Sequence, residues 1–281
     1  QKNTTGVSVK KIAVSEAAEI TITVQIYDPA DRMTPLATDS CKIYVNYHEY
    51  DDHFYYMGEN YKTVALKDGN VWMAENLRYV PEDKTVSSDY TVDDGLWYPA
   101  KADKVADPSL VKTKGLLYDC ATAFGVSAIT EENAYSFEGK QGICPKGWHI
   151  PTNAELTGLV GHNANGALTN TSAPYYDANV KGASIPVLDE AGFNWTFVGY
   201  RNKTAITAKG AYNCTVYENT VGALSWVLGS TCYQVKKGTD GTITNYQFYS
   251  LMSTVNKTNN KVSVAYGNFL SGLSVRCVKN K

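Results

Sequence analysis

Thr152-Asn153-Ala154-Glu155 is a helix start, and this chain contains few others. A threonine at the cap and a glutamate three residues later each satisfy an orphan backbone amide of the first turn. Pro151 and Leu156 stand where a hydrophobic staple would pack, and the helix runs through ELTGLV to Gly161. One other segment carries comparable signals: Asp119 caps CATAF, and Gly125 stops it. Two short helices in 281 residues leave strands and loops to build the rest. The capping box also bears on chemistry. Cys144, His149 and Glu155 lie close enough in CPKGWHIPTNAEL for a metal site or a nucleophile with its base, or for a pin between strand and helix. A capping glutamate contributes about 1 kcal/mol to its helix, which weakens it as a general base.

Strand signals dominate elsewhere. VSVKKIAV and EITITVQIY place apolar residues at every second position, as half-buried strands require. DPADRMTPLATDS, with two prolines, reads as a loop before CKIYVNY resumes the alternation. Residues 1–50 thus form a β-rich segment, either an add-on sheet or the remnant of an immunoglobulin-like or pilin-like module. After a polar, aromatic junction, Asp68-Gly69 supplies a hairpin turn between TVAL and NVWM. Residues 81–115 are loop-like, and Gly161 to Lys237 reads as short strands joined by large loops. YQFYSLMSTV, KVSVAYGN and GLSVRCVKN are closing strands around turns at Asn259-Asn260 and Gly267-Asn268.

Composition removes several function classes. With 43% hydrophobic and 19% charged residues the chain is globular. A net charge of −2 and no basic run exclude a nucleic-acid binder held by phosphate contacts. No apolar run has spanning length, and a polar start at Gln1 suits a mature or trimmed form of an exported protein. The six cysteines (Cys41, Cys120, Cys144, Cys214, Cys232, Cys277) form no CxxC pair, which disfavours zinc knuckles and thioredoxin-like sites. Their even number and long spacings fit up to three disulfides in an oxidising compartment, or buried free thiols in a reducing one.

GENYKTVALKDGNVWMAENLRY, LLYDCATA, ICPKGWHIPTNAEL, GFNWTFVGYRN, GALSWVLGST and GLSVRCVKN follow one another in that order. Together they resemble the Fibrobacter succinogenes major paralogous domain over about residues 57–281, with WMAENL, CPKGWHIPT and SVRCV the most specific pieces. The resemblance implies an α+β, C-type-lectin-like fold, similar also to formylglycine-generating enzymes: two short helices, small twisted antiparallel sheets and long loops. It further implies an exported protein, such as a lipoprotein, at the outer-membrane surface or outside a Bacteroidetes-type bacterium. In that fold a cysteine of the helical side is bridged to the last strand, so Cys144 is expected to pair with Cys277. Cys120 stands where the family has tryptophan, and the W-S-S-T segment is altered at Trp226 to Thr231. Cys214 and Cys232, flanking that segment, would make a second bridge, and Cys41 and Cys120 a third.

The Glu-Pro-Asn, Gln-Pro-Asp and Trp-Asn-Asp strings of calcium-dependent lectins do not occur, although Asp189, Glu190 and Asn194 could offer calcium a few oxygens. His48, Glu49, Asp51, Asp52 and His53 include metal-capable groups, but on one strand the two histidines would point to opposite faces. We therefore expect no metal, no cofactor and no catalytic residues. The aromatic loops hold the candidate ligand residues: Tyr175, Tyr176, Asp177, Asn194, Trp195, Tyr200 and Arg201. Rings with amide and charged neighbours hold sugars or peptides by stacking and hydrogen bonding. The same rings could equally pin the loops to the sheet. The expected role is adhesion or recognition of a glycan or protein at the cell surface, without catalysis. The alternative is a tip or accessory subunit of a surface appendage, with other pilus or fimbrial subunits as partners.

Overall fold

The computed structural model describes residues 18–28, 31–101, 103–161, 170–204, 206–213, 224–255 and 260–281. The chain divides into two compact units, Gln1–Asn60 and Tyr61–Lys281.

In the first unit, β1 (Ala18–Asp28) and β2 (Asp31–Val45) form an antiparallel ribbon. EITITVQIY is a strand, as its alternation demands, whereas VSVKKIAV lies outside the described residues. The expected loop is a correction: DRMTPLATDS belongs to β2. Proline is tolerated because Pro35 sits opposite Tyr27, where the register shifts on both sides, and a two-stranded ribbon needs few of its amides. β3 (Tyr47–Glu49) and β4 (His53–Tyr56) make a second hairpin, so the histidines of that stretch occupy two strands and not one.

The chain enters the second unit through β5 (Glu59–Ala65), which turns at Asp68-Gly69 into β6 (Val71–Met73). Gly69 has φ +80°, and the Asp68 carboxylate accepts from the amides of Asn70 and from Trp72 Nε1, so the turn fixes the following tryptophan. Next come β7 (Leu96–Trp97), α1 (Val111–Lys114), β8 (Leu117–Tyr118), α2 (Cys120–Phe124), β9 (Trp148–His149) and α3 (Asn153–Val160). The order continues with β10 (Tyr176–Asp177), β11 (Gly182–Ser184), α4 (Ile185–Glu190), β12 (Tyr200–Asn202) and β13 (Ala211–Asn213). Three long strands, β14 (Trp226–Lys237), β15 (Ile243–Val255) and β16 (Asn260–Asn268), precede the closing β17 (Val278–Lys279).

Two sheets organise this unit. β10, β11, β16, β15 and β14 are neighbours in that order, and β17 lies between β6 and β9, with Val278 opposite both Trp72 and His149. Leu156, Leu159 and Val160 of α3 fill the core between them, packed with Trp72, Phe193 and Leu251. The unit is mostly β with short helices and small antiparallel sheets.

Four short α-helices are present among the described residues where two were expected. α4 starts at Ile185-Pro186, where proline's fixed φ suits a first turn, but six residues are too few to show a helical period. Gly267-Asn268 ends β16 and is not a turn; the chain reverses just after it.

Cys144 and Cys277 form a disulfide, with Cα atoms 5.9 Å apart. The other two expected bridges are corrected. Cys120 and Cys232 are free thiols, both buried, while Cys214 lies outside the described residues and Cys41 belongs to the first unit. Cys232 sits opposite Phe248, whose ring lies 5.1 Å from Phe124 of α2, one helical turn after Cys120. The two thiols thus belong to one buried aromatic layer, where burial, Asp119 and Cys232 all push the Cys120 thiol upward.

Candidate functional site

CPKGWHIPTNAEL is a pin. Cys144 is in the disulfide and has no thiol to activate. Trp148 is 1% exposed and, with His149, forms the strand that pairs with the chain end. The Thr152 side chain accepts from Glu155 N, and Glu155 accepts in return from Thr152 N at 2.8 Å, completing the capping box. The same carboxylate accepts from His149 Nε2 at 2.9 and 3.0 Å, while His149 Nδ1 donates to Asn280 Oδ1 at 2.7 Å. Both imidazole nitrogens therefore face acceptors, the pattern that holds a histidine protonated. Burial alone would lower its pKa, but Glu155 and Asn280 outweigh that and raise it above 6.5. Burial would raise Glu155; the bonds from His149 and Thr152 prevail and hold it below 4.5.

The loop residues proposed from sequence part company. Tyr175 and Trp195 are 6% and 5% exposed and belong to the central core. Tyr175 Oη accepts from Lys67 N at 3.1 Å, and the Trp195 ring stacks on Phe193. Arg201 is fully buried, with its guanidinium over Trp97. It donates to Asp93 at 2.6 Å, Leu270 O at 2.5 Å and Tyr90 O at 2.9 Å. It thereby anchors the 81–115 loop and is no ligand platform. Gly272 must be glycine here, since a Cβ would meet the Trp97 ring at 2.8 Å and Arg201 at 3.1 Å.

Asn194 has φ +54°, and its carbonyl accepts from Arg276. Tyr176 and Asp177 form the short edge pair with β11, where Asp177 accepts from Asn179 N. The Asp189 carboxylate is taken by Trp195 N. Among the described residues no group of three or more histidine, cysteine, aspartate or glutamate side chains is placed to hold a metal ion. Only Tyr200 of the proposed set reaches the cavity described next.

That cavity has a volume of about 230 Å³ and lies where β12 meets the ends of β14, β15 and β16. Its rings are Tyr200, Trp226 and Tyr266; Tyr200 and Trp226 stand 5.5 Å apart at 47°. Its amides are Asn202, Asn245, Gln247 and Asn268. Asn268 pairs across the sheet with Gln247, and Asn245 is two residues from Gln247, so these three carboxamides share one face. Asn245 and Asn268 are 6% and 8% exposed. Asn268 Oδ1 is fixed by Leu270 N at 2.9 Å, which directs the amide.

Trp226 Nε1, Asn245 Oδ1 and Asn268 Nδ2 are buried with no hydrogen-bond partner among the described residues. Buried polar groups are nearly always paired; these three sit on side chains that line the cavity, are themselves closed to water, and reach a partner there once the side chains turn toward it. Sequence reasoning passed over all three. The available signal was Asn245 and Gln247 alternating in ITNYQFY, polar side chains at the spacing of one strand face.

The geometry defines a β-rich domain with an aromatic and carboxamide pocket, clasped by a disulfide between its CPKGW segment and its last strand. The Fibrobacter succinogenes major domain matches residues 67–279, and the chain belongs to that family. No curated protein and no solved structure matches it.

Proposed function

We propose that this is a non-catalytic recognition protein of the cell surface, holding an external ligand in the cavity between Tyr200, Trp226 and Asn268. The observation that carries this reading is a cavity lined by three half-buried rings and four carboxamides. The segment that holds Cys144, His149 and Glu155 has its cysteine oxidised and its histidine bonded on both nitrogens, which supports a role without catalysis. A C-type-lectin-like arrangement fits the same picture, since the disulfide and β17 bring the chain end back beside β6 and β9.

The test is a screen of the immobilised chain against arrayed glycans and surface-protein extracts, repeated with Trp226→Ala. Binding should fall about tenfold or more in the variant, with its melting temperature retained. A ligand that binds the variant as well as the parent overturns the site.

The second reading, an accessory subunit of a surface appendage, draws on the β1–β2 ribbon. Ile26, Met33 and Leu36 are 59%, 91% and 69% exposed there. Strand addition to such a ribbon would assemble subunits, and exchange with a labelled partner strand would favour it.

A further inference from the structure

We propose that the cavity takes a single uncharged sugar residue; the assignment rests on the recognition reading above and names its ligand class. Size is the first argument. Pockets for drug-sized ligands run from about 300 Å³ upward, and 230 Å³ accepts one ring-sized unit, a chain end or a single branch.

Charge is the second. Lys203, the one cationic side chain of the lining among the described residues, is bonded through its ammonium to Asp93, which also takes Arg201. Asp89 lies within electrostatic reach of Arg201 and adds a second carboxylate. Both cations are bonded to Asp93, so an anionic guest would have to displace it.

Hydrogen bonding is the third. The lining side chains carry two donors without partners, Trp226 Nε1 and Asn268 Nδ2, and one acceptor, Asn245 Oδ1, each closed to water until its side chain turns toward a guest. A hydroxyl both donates and accepts, and neighbouring ring hydroxyls satisfy such a mixed set together. The apolar C–H face of a pyranose has the Trp226 and Tyr200 rings to lie against. An extended peptide would be held by main-chain bonds along a strand edge. Here Asn245 and Asn268 come from the adjacent inner strands β15 and β16, which present side chains and no free edge.

The experiment is saturation-transfer NMR on the full chain. The probes are glucose, galactose, mannose, N-acetylglucosamine, glucuronic acid and N-acetylglutamine amide. At least one neutral sugar should receive saturation. Its signal should drop about tenfold in Trp226→Ala and in Asn268→Leu, and glucuronic acid should give about a tenth of it or less. Trp226→Phe keeps the ring and loses the N–H, so it should show an intermediate loss; it replaces Trp226→Ala should that variant misfold.

Stronger transfer to glucuronic acid or to the glutamine amide, still dependent on Trp226, removes the neutral-sugar assignment and leaves the cavity as the recognition site. Silence of all four neutral sugars also overturns the assignment. If a protein ligand from the screen above still requires Trp226, the recognition reading survives that result. Transfer to a sugar that is indifferent to both Trp226 and Asn268 overturns site and class together.

Discussion

His149 shows how one residue can look catalytic and serve the fold. Its pKa is raised above 6.5, so its stabilising contribution is complete below that value and is lost as pH rises through the folded-state pKa. Glu155 is depressed below 4.5, so its contribution is complete above that value and is lost as acid takes pH through its folded-state pKa. Both are present together between 4.5 and 6.5. Melting temperature should therefore fall from pH 6 toward alkaline pH in the parent, and this part of the fall should vanish in His149→Gln. An unchanged profile would show the pair contributes nothing. Arg276 makes a similar point with neutral hydrogen-bond acceptors, Asp189 and Glu75 acting on it only through space. Fully buried, it donates to Asn76 Oδ1, Phe193 O and Asn194 O, and burial lowers its pKa to about 10. Lysine cannot span three such acceptors from one planar group, so Arg276→Lys should cost about 3 kcal/mol in denaturant unfolding.

At the scale of elements, β17 is clasped between β6 and β9, with the disulfide at Cys277 just before it. The disulfide closes 133 residues, a constraint that the chain-entropy model values at about 5 kcal/mol. Replacing Cys144 and Cys277 together by serine should lower unfolding free energy by about 2–5 kcal/mol, and urea titration checks it. Thr152→Ala should cost about 1 kcal/mol through the cap alone. Much of this scale was legible in sequence. The capping box, the Asp119 cap and the Asp68-Gly69 hairpin are local chemistry, set by residues within a few positions of one another. β2 was misread because a proline forbids a central strand only, and nothing local to MTPLATDS says that its partner tolerates a bulge opposite Pro35.

At the scale of the whole molecule, the described core clusters lie in Tyr61–Lys281. A fragment of residues 61–281 should therefore keep the main melting transition of the full chain to within a few degrees, as calorimetry would show; loss of that transition would place essential packing in the first unit. The cavity also belongs to this scale. Its side chains come from residues 200–273, over strands whose pairing brings Asn268 opposite Gln247 and Trp226 beside Tyr200. The sequence by itself determined the family, the two capped helices, the Asp68-Gly69 hairpin and, through the family resemblance, the Cys144–Cys277 bridge. Tertiary structure alone decided which rings are buried. Trp195 and Arg201 look like loop contacts in a linear string, yet both are closed over by distant segments. It also decided which amides are left without partners, because an unpaired hydrogen bond is a property of everything around a group, and a sequence lists only its chain neighbours.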